Sequence, residues 1–572
     1  MGQFDIFYGK KLPDYQSGWR LYDEAERFNS NINLRETVRV NENFYIGKQW
    51  EGVQSNGLPT PVFNFIKRVV GFDVATITSD NVKVTASPLA NTANTDGLIE
   101  PVRIVNEEFD ALAARNKISS LLREFARNAA VDGDGCLYTY WDADAETGQQ
   151  SKGMIRTEIV ENTRVYFGNP NDRRVQTQPW IMIGSREITR IVRRRAKENG
   201  MAEWQSISPD CEDDSVDTAK VTDDKTTVLL LLWRDEETGH IWQYEFTRNS
   251  GVTAPIDTKL SLYPICWLSW DYVQDCYHGQ SMVTGLTPNQ MFVNKIWAAA
   301  MLSMLRTAFP KWIYDKTRIK RWDNGVGTAI GISGGDVSTV AKVIDPASIS
   351  PQVAQFIDMA VKQTEECLGA TSVALGDTRP DNTSAIIALQ RAASTPMEMT
   401  KLNLYQAVEE LFRIYLDFMS AYYGVRAVDM EPTPEIRKQY EFAGMPVPES
   451  IIAEFDFDTL KFHPMMLKLD VGASSYYSEI ASIQTLDNLL MNGHINAIQY
   501  LERIPDGYIP ARRALINELK ATQAMNAVPP GAPPNAATGD VAVQAKPEIP
   551  TGGGFSDLQR KVLESGSTQG LV

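Results

Sequence analysis

The residues best suited to hold a metal ion lie in two short stretches. The sequence DGDG, Asp132–Gly135, begins like a calcium-binding loop, but Leu137 stands where such a loop requires glycine. Cys266, Cys276 and His278 carry zinc-binding side chains, yet their C-x9-C-x-H spacing matches no common zinc site. A plain turn and buried thiols explain these residues better. The sequence therefore predicts no metal and no cofactor.

Catalytic motifs are missing from the sequence. It contains no G-x-x-x-x-G-K-[ST] phosphate loop, no G-x-S-x-G and no H-E-x-x-H. None of the four histidines, His240, His278, His463 and His494, neighbours a plausible nucleophile in the sequence. We therefore expect no enzymatic activity. One alternative stays open, namely an enzyme that acts on nucleic acid through carboxylates scattered along the chain.

The charge balance limits the possible partners. The 572 residues include 72 acidic and 56 basic side chains, giving a formal net charge of −16. Tight binding of nucleic acid depends on lysine and arginine, so this chain is a poor candidate for it. Nucleic acid that moves past without sticking remains compatible with the balance. The five cysteines, an odd number scattered over a long chain, indicate free thiols in a reducing compartment.

The most unusual predicted element is a helix over residues 286–309. Thr287 suits its N-cap, Pro288 its first helical position, and Gln290 completes a capping box. From Met291 to Leu305 apolar side chains point in nearly every direction, so something must cover the helix.

A membrane is an unfavourable cover for this helix. Asn294 and Lys295 lie inside the apolar stretch, and a central lysine costs about 2.5–3.5 kcal/mol on insertion scales. We therefore expect protein to cover the helix and predict no membrane partner. A membrane-associated pore or scaffold that uses this stretch as its anchor stays open as an alternative.

A small β-rich module, residues 310–350, follows this helix, with strand signals in KWIY, TAIGI and AKVID. A second helix follows over residues 351–369, whose apolar positions recur at i, i+3, i+4 and i+7. The module interleaves basic and aromatic side chains: Lys311, Trp312, Lys316, Arg318, Lys320, Arg321 and Trp322. Two interpretations stay open for these residues, a docking surface for a partner and a charged edge strand that resists aggregation.

The remaining chain reads as α+β. Strand signals dominate residues 154–192, which close with a predicted basic helix, SREITRIVRRRAKENG, and TTVLLLLWR and HIWQYEFTR predict a β-hairpin. Residues 385–424 form a predicted helix that Pro396 kinks near Ser394. Residues 425–472 are mixed, 473–525 are mostly helical, and the Pro/Gly/Ala-rich 526–572 are expected to be disordered apart from a short amphipathic segment near the end.

Several stretches, taken in order, resemble the portal proteins of tailed bacteriophages. They are NENFYIGKQWEG followed by PTPVFNFIKRVVG, ARNAAVDGDGCLYTYWD, YHGQSMVTGLTPNQMFVNKIWAAAM and LGATSVALGDTRPDNTSAIIALQRAAS. The resemblance covers roughly residues 35–520. These patterns are loose and non-catalytic, and it is their order along the chain that carries the resemblance.

The resemblance implies a portal fold assembled as a dodecameric ring at the unique vertex of the capsid. Its parts would be the wing (1–285), a first stem helix (286–309), a clip (310–350), a second stem helix (351–369), a channel loop (370–384), a kinked wing helix (385–424), wing return strands (425–472), crown helices (473–525) and a disordered tail (526–572). Double-stranded DNA would be packaged and later ejected through the ring without sequence-specific contacts. The implied partners are the terminase motor, neck or tail proteins, the major capsid protein and possible scaffolding protein. The protein would lie in the virion, and in the host cytoplasm during assembly.

The resemblance also assigns roles to particular residues. Packing between subunits in the stem would use Met291, Phe292, Ile296, Trp297, Met301, Met304, Leu305, Phe356, Ile357 and Val361. The channel loop would present Gly376, Asp377, Thr378, Arg379, Pro380, Asp381 and Asn382, of which Arg379 is expected to touch phosphate. The basic and aromatic residues of 310–350 would form the docking surface of the clip.

Overall fold

The structure is a computed structural model that describes most of the chain. The described residues are 13–55, 57–79, 82–89, 99–147, 152–210, 224–308, 311–319, 321–323, 330–334, 336–344, 397–430, 451–462, 465–471 and 476–504, with a few further positions between 355 and 519. They belong to two compact units, Met1–Ser482 and Ile483–Val572.

Helices and strands both occur throughout the described chain. The main helices are α1 (Tyr15–Asn31), α2 (Leu34–Ile46), α3 (Phe65–Ile77), α4 (Ile99–Arg115), α5 (Ile118–Asp132), α6 (Thr189–Glu198), α7 (Met282–Ala308), α8 (Glu398–Phe418), α9 (Tyr476–Met491) and α10 (Ala497–Arg503). The strands are β1 (Val82–Pro88), β2 (Asp134–Asp142), β3 (Met154–Val160), β4 (Val165–Phe167), β5 (Trp180–Ile188), β6 (Lys225–Arg234), β7 (Ile241–Phe246), β8 (Ile256–Leu260), β9 (Ile265–Ser269), β10 (Lys311–Tyr314), β11 (Ala341–Ile344), β12 (Val425–Met430), β13 (Ile451–Asp456) and β14 (Met465–Val471).

The strands form one large sheet and several small ones. The five-stranded sheet has the order β4-β5-β6-β7-β8, and a three-stranded sheet has the order β3-β2-β9. Two-stranded sheets pair β1 with β14, β10 with β11, and β12 with β13. Every strand pairing in the described chain is antiparallel. The predicted α+β class and the predicted β6–β7 hairpin are therefore confirmed.

Two large clusters of buried side chains hold the first unit together. The main cluster joins α3, α4, α5 and α8 to the three-stranded sheet, where Phe109 and Phe412 meet edge to face at 5.0 Å. In the second cluster α1 packs on the five-stranded sheet through Leu21, Trp180 and Phe246. The close approach of α1 depends on Gly18, because a Cβ atom at this position would lie 2.5 Å from the Phe246 ring.

The DGDG stretch is the turn that joins α5 to β2. Asp132 ends the helix, and Gly133 has a φ of +102°, a conformation that favours glycine. A Cβ atom on Gly133 would lie 2.7 Å from the Gly279 carbonyl oxygen, so a larger residue does not fit there. The interpretation of DGDG as a plain turn is confirmed.

The predicted start of the long apolar helix was wrong. α7 begins at Met282, and Pro288 lies inside it rather than at its first position. The Thr287 hydroxyl does not cap the helix but donates a hydrogen bond to the Val283 carbonyl at 2.8 Å. The local motif was misleading because Ser281, five residues before the predicted start, supplies the cap. Its hydroxyl accepts a hydrogen bond from the Val283 amide at 3.0 Å.

Other boundaries also differ from the prediction. Residues 185–188 extend strand β5, and the basic helix α6 begins only at Thr189, since Ser185–Ile188 pair with β6. In the module 310–350, KWIY and AKVI form the paired strands β10 and β11, whereas residues 330–332 of TAIGI are not in a strand. The predicted kink near Ser394 and the predicted disordered tail lie outside the described residues.

The second unit contains a small helical core of its own. Asn496 caps α10, and the Tyr500 hydroxyl donates a hydrogen bond to Asp487 at 2.6 Å. Ile498, Leu501 and Ile516 form its buried cluster. Helices predicted for this part of the chain are therefore present at α9 and α10.

Candidate functional site

The N-terminus of α7 is tied firmly to the rest of the first unit. Besides capping α7, the Ser281 hydroxyl donates to the Val131 carbonyl at 2.6 Å, at the end of α5. The helix then packs against α2, α3 and α5. The first part of α7 is thus anchored by its own chain.

A buried chain of amide side chains stabilises this anchored part. The Gln290 amide donates to the Phe63 carbonyl at 2.7 Å and to Asn294 at 3.0 Å. The Asn294 amide donates to Gln49 at 2.6 Å, and Gln49 donates to the Phe44 carbonyl at 3.0 Å. Because Asn294 accepts from Gln290 and donates to Gln49, it can lie inside the unit without a large desolvation cost.

Burial ends abruptly two thirds of the way along α7. Val293 and Ala298 are each 1% exposed, on the face that packs against the unit. The same face continues through Met301, Met304 and Leu305, and there Met304 is 58% and Leu305 54% exposed. α7 therefore extends beyond the residues of its own chain that cover its first part. We call residues 299–308 the projecting part of α7.

The opposite face of α7 is exposed over much of its length. Phe292 is 49% exposed, and Met291 is also exposed. Ile296 and Trp297 are instead partly buried by the chain itself, and the Trp297 ring lies 4.6 Å from that of Phe63. The first part of the apolar helix is thus buried on one face, whereas on the projecting part Met301, Met304 and Leu305 are exposed.

The exposed apolar side chains of α7 have a physical consequence. Single exposed apolar residues are normal on a protein surface, but several neighbouring ones mark an interaction site. Fully burying one methionine or leucine side chain is worth about 1.5–3 kcal/mol. Met301, Met304 and Leu305 together therefore favour association with another apolar surface.

The described residues of the predicted second stem helix also include both exposed side chains and side chains that pack against the unit. Residues 355–356, 358–360 and 362 are helical. Phe356 and Met359 are exposed, while Ala360 packs against the main cluster. The predicted packing residues Ile357 and Val361 lie outside the described residues.

The module after α7 carries exposed positive charge on a small β-scaffold. Tyr314 stacks on Trp322 with ring centroids 5.0 Å apart. The Asp315 side chain holds the turn after β10 by accepting from the Thr317 hydroxyl, and this bond lowers the pKa of Asp315. Arg318 lies 3.6 Å from Asp315, so that its charge is partly balanced.

Two predicted docking residues of this module carry unbalanced charge. Lys316 and Arg321 are exposed and pair with no carboxylate among the described residues. Lys311 and Trp312 occupy the first two positions of β10. Lys320 and the whole predicted channel loop, residues 376–382, lie outside the described residues.

The residues that resembled metal ligands form part of the core. His278 Nδ1 lies 2.9 Å from Asp134 Oδ2, and the Ser269 hydroxyl donates to Asp134 Oδ1 at 2.7 Å. Serine and histidine therefore both contact the carboxylate rather than each other, which is not the order that nucleophilic catalysis requires. Cys266 is buried, as predicted, and its thiol donates to the Ala407 carbonyl at 3.1 Å. Cys276, also predicted to be buried, is partly exposed. In the part of the chain that the structure describes, no three potential ligands are grouped to hold a metal.

One buried carboxyl group, that of Asp73, was not predicted from the sequence. Asp73 lies on α3, which packs against α7, and its side chain is fully buried. Neither carboxyl oxygen has a hydrogen-bond partner, and burial raises the pKa of Asp73 to about 8. The helical period of α3 places Asp73 on the same face as the apolar Val69, Val70 and Ile77. An acidic residue on an apolar helix face is a signal that could have been found in the sequence.

Within the described parts of the chain, every helix is too short or too polar to serve as a membrane span.

Residues 187–428 match the family described as Phage P22-like portal protein. This stretch runs from the end of β5 to β12 and includes α7 and the module after it. The match confirms the resemblance to tailed-bacteriophage portal proteins. A comparison with curated proteins finds no match.

Proposed function

On the basis of this match, we propose that the chain is one subunit of the portal ring at the unique vertex of a tailed-phage capsid. Viral double-stranded DNA would enter the capsid through this ring during packaging and leave through it during ejection. The observation that carries the proposal is the exposure of apolar side chains on the projecting part of α7, where Met301, Met304 and Leu305 are 37%, 58% and 54% exposed. In a ring of twelve copies, neighbouring subunits cover these side chains.

The stem of the ring is built from α7 and the helix predicted over residues 351–369. Met291 and Phe292 on one face, and Met301, Met304 and Leu305 on the other, give each subunit two apolar surfaces. A contact between two different surfaces passes from copy to copy, and it closes into a ring when the rotation per subunit fits. The exposed Phe356 adds to the same packing.

The module 310–350 is the clip, which the terminase motor binds during packaging and neck or tail proteins bind afterwards. The exposed Lys316 and Arg321 favour partners with acidic surfaces. The wing contacts the major capsid protein, with scaffolding protein as a further partner during assembly in the host cytoplasm. The protein acts without catalysis, metal or cofactor.

The net negative charge of the chain suits a channel through which DNA passes. Twelve copies at −16 each carry a formal charge of −192. A mainly negative channel wall repels the DNA phosphates from all sides, so the duplex slides instead of binding. Arg379 in the channel loop supplies a local contact to phosphate.

Negative-stain electron microscopy of the purified chain tests the proposal. We expect rings with a central hole, built from subunits of 63.9 kDa. A compact monomer at high concentration contradicts it. The salt response of DNA retention in filled particles tests the channel, since strong retention at low salt argues against a repelling wall.

A further inference from the structure

A large cleft lies between the two main sheets of the first unit, away from α7 and the clip. Its volume is about 720 Å³, within the range of roughly 300–1,000 Å³ typical of ligand sites. Facing sheets normally interdigitate their side chains, and protein interiors leave few voids. A cleft of this size between two sheets therefore has room for a small ligand.

The cleft has an apolar floor and aromatic walls. Ile183, Leu230, Leu232 and Ile241 line the floor on the five-stranded sheet. On the opposite sheet Tyr138 and Tyr140 stack with ring centroids 5.8 Å apart. The floor suits a hydrocarbon chain, and the faces of aromatic rings attract cations.

The cleft is lined by more acidic than basic side chains. Four carboxylates line it, Glu158, Glu161, Glu187 and Glu245, against two guanidinium groups, Arg164 and Arg195. Arg164 pairs with Glu161 at 2.9 Å. Arg195 is shared, lying 3.2 Å from Glu187 and 3.1 Å from Glu245.

The cleft therefore has two more carboxylates than guanidinium groups, and the excess lies at two separate places. Glu158 accepts a hydrogen bond from the Tyr140 hydroxyl and pairs with no basic side chain in the described chain. Glu187 and Glu245 share one guanidinium, and Glu245 Oε2 is shielded from solvent without a well-aligned hydrogen-bond donor. Burial and the neighbouring Glu187 raise the pKa of Glu245, while the Arg195 guanidinium acts in the opposite direction.

We propose that this cleft binds an aliphatic diamine or polyamine. One ammonium group binds Glu158 beside the tyrosine rings, and another binds the pair Glu187 and Glu245. The methylene chain between them lies on the apolar floor. An anionic ligand would meet excess negative charge, and an uncharged apolar ligand would leave the half-buried Glu187 and Glu245 to share one guanidinium.

Isothermal titration calorimetry of the full-length wild-type chain tests this site with a series of α,ω-diamines of three to six carbons, together with spermidine. We expect saturable binding of one ligand per chain with an optimum in chain length, because the two carboxylate positions are fixed. Butylamine, with a single ammonium group, should bind at least about 10-fold more weakly, as loss of a charge-assisted hydrogen bond implies. Absence of saturable binding, or affinity independent of chain length, overturns the proposal.

Variants locate the binding to the cleft. Glu158→Gln and Glu245→Gln should each weaken binding of the best diamine about 10-fold or more. Glu236→Gln is the matched control, because Glu236 is exposed in the turn between β6 and β7 and does not line the cleft. It should change the affinity less than about twofold. An equal effect of all three variants means diffuse attraction to an acidic chain and overturns the proposal, as does binding of oligolysine peptide without binding of free diamines.

Discussion

The two parts of α7 belong to one continuous helix but have opposite surroundings. Up to Ala298 one face is buried, and its polar side chains Gln290 and Asn294 find partners within the unit. Beyond Ala298 the same face carries Met301, Met304 and Leu305 and is exposed. Helical propensity and amphipathicity do not distinguish the two parts; only the presence of other elements of the chain does.

This difference teaches how one helix can serve two roles. The buried part contributes to the stability of the subunit, whereas the projecting part contributes to the stability of an assembly. Substitutions in the two parts should therefore affect different measurements.

Val293→Asp should have the largest effect on the subunit itself. It places an unpaired carboxylate in the buried face of α7, which costs about 4–5 kcal/mol in free energy of unfolding. Urea denaturation at a concentration where the chain is monomeric measures this loss.

Met304→Asp is the matched change in the projecting part. It should alter the free energy of unfolding of the monomer by less than about 0.5 kcal/mol, because Met304 is mostly exposed. Size-exclusion chromatography with light scattering should show that assembly is lost. If Met304→Asp unfolds the monomer as Val293→Asp does, the two parts do not differ in role.

Asp73→Asn should remove a pH dependence from the buried region beside α7. The folded-state pKa of Asp73, about 8, lies above its unfolded value, so its contribution to stability is full at low pH and is lost as pH rises toward 8. Between pH 5 and 8 this loss amounts to about 3–4 kcal/mol, at about 1.36 kcal/mol per pKa unit. Urea denaturation across this range should show stability falling more steeply for the wild type than for Asp73→Asn; parallel curves contradict the assignment.

Ser281→Ala should weaken the anchor of α7 by about 1–2 kcal/mol, through loss of the cap and of the hydrogen bond to Val131. Ser303→Ala, in the projecting part of the same helix, is the control and should be close to neutral. Thermal unfolding of the monomer compares the two. Equal losses from both substitutions would mean that Ser281 has no special anchoring role.

The double substitution Lys316→Glu and Arg321→Glu should have the smallest effect on the subunit. Both side chains are exposed, so the free energy of unfolding should change by less than about 0.5 kcal/mol and rings should still form. Binding of the motor to assembled rings, measured by co-sedimentation, should weaken at least about 10-fold through lost charge complementarity. Unchanged binding would leave the clip surface without the proposed role.

The sequence predicted those features that depend on local pattern. The β6–β7 hairpin and the Gly133 turn follow from residue type and spacing. The start of α7 was missed because the Thr287–Pro288 motif is typical of a helix start, yet Ser281 caps the helix through contacts with a distant segment.

The division of α7 depends on tertiary structure and was therefore not readable from the sequence. Nothing in the residue types distinguishes Val293 from Leu305, since both are apolar and both belong to the same helix. Gln49 and Asn294 meet only because α2 and α7 pack together, so the network that links them to Gln290 left no local signal. The carboxylates of the cleft lie on strands that are far apart in the chain, and only the sheet order brings them together.

Oxidative footprinting of the methionines in α7 shows whether neighbouring copies cover the projecting part of this helix. Hydroxyl-radical oxidation of Met301 and Met304 is measured by mass spectrometry in the dilute monomer and in the assembled protein, with the urea-unfolded chain as reference. The account predicts that both methionines react readily in the monomer and are strongly protected in the assembly. Equal oxidation in the two states would show that no neighbouring copy covers the projecting part of α7, and would contradict the account.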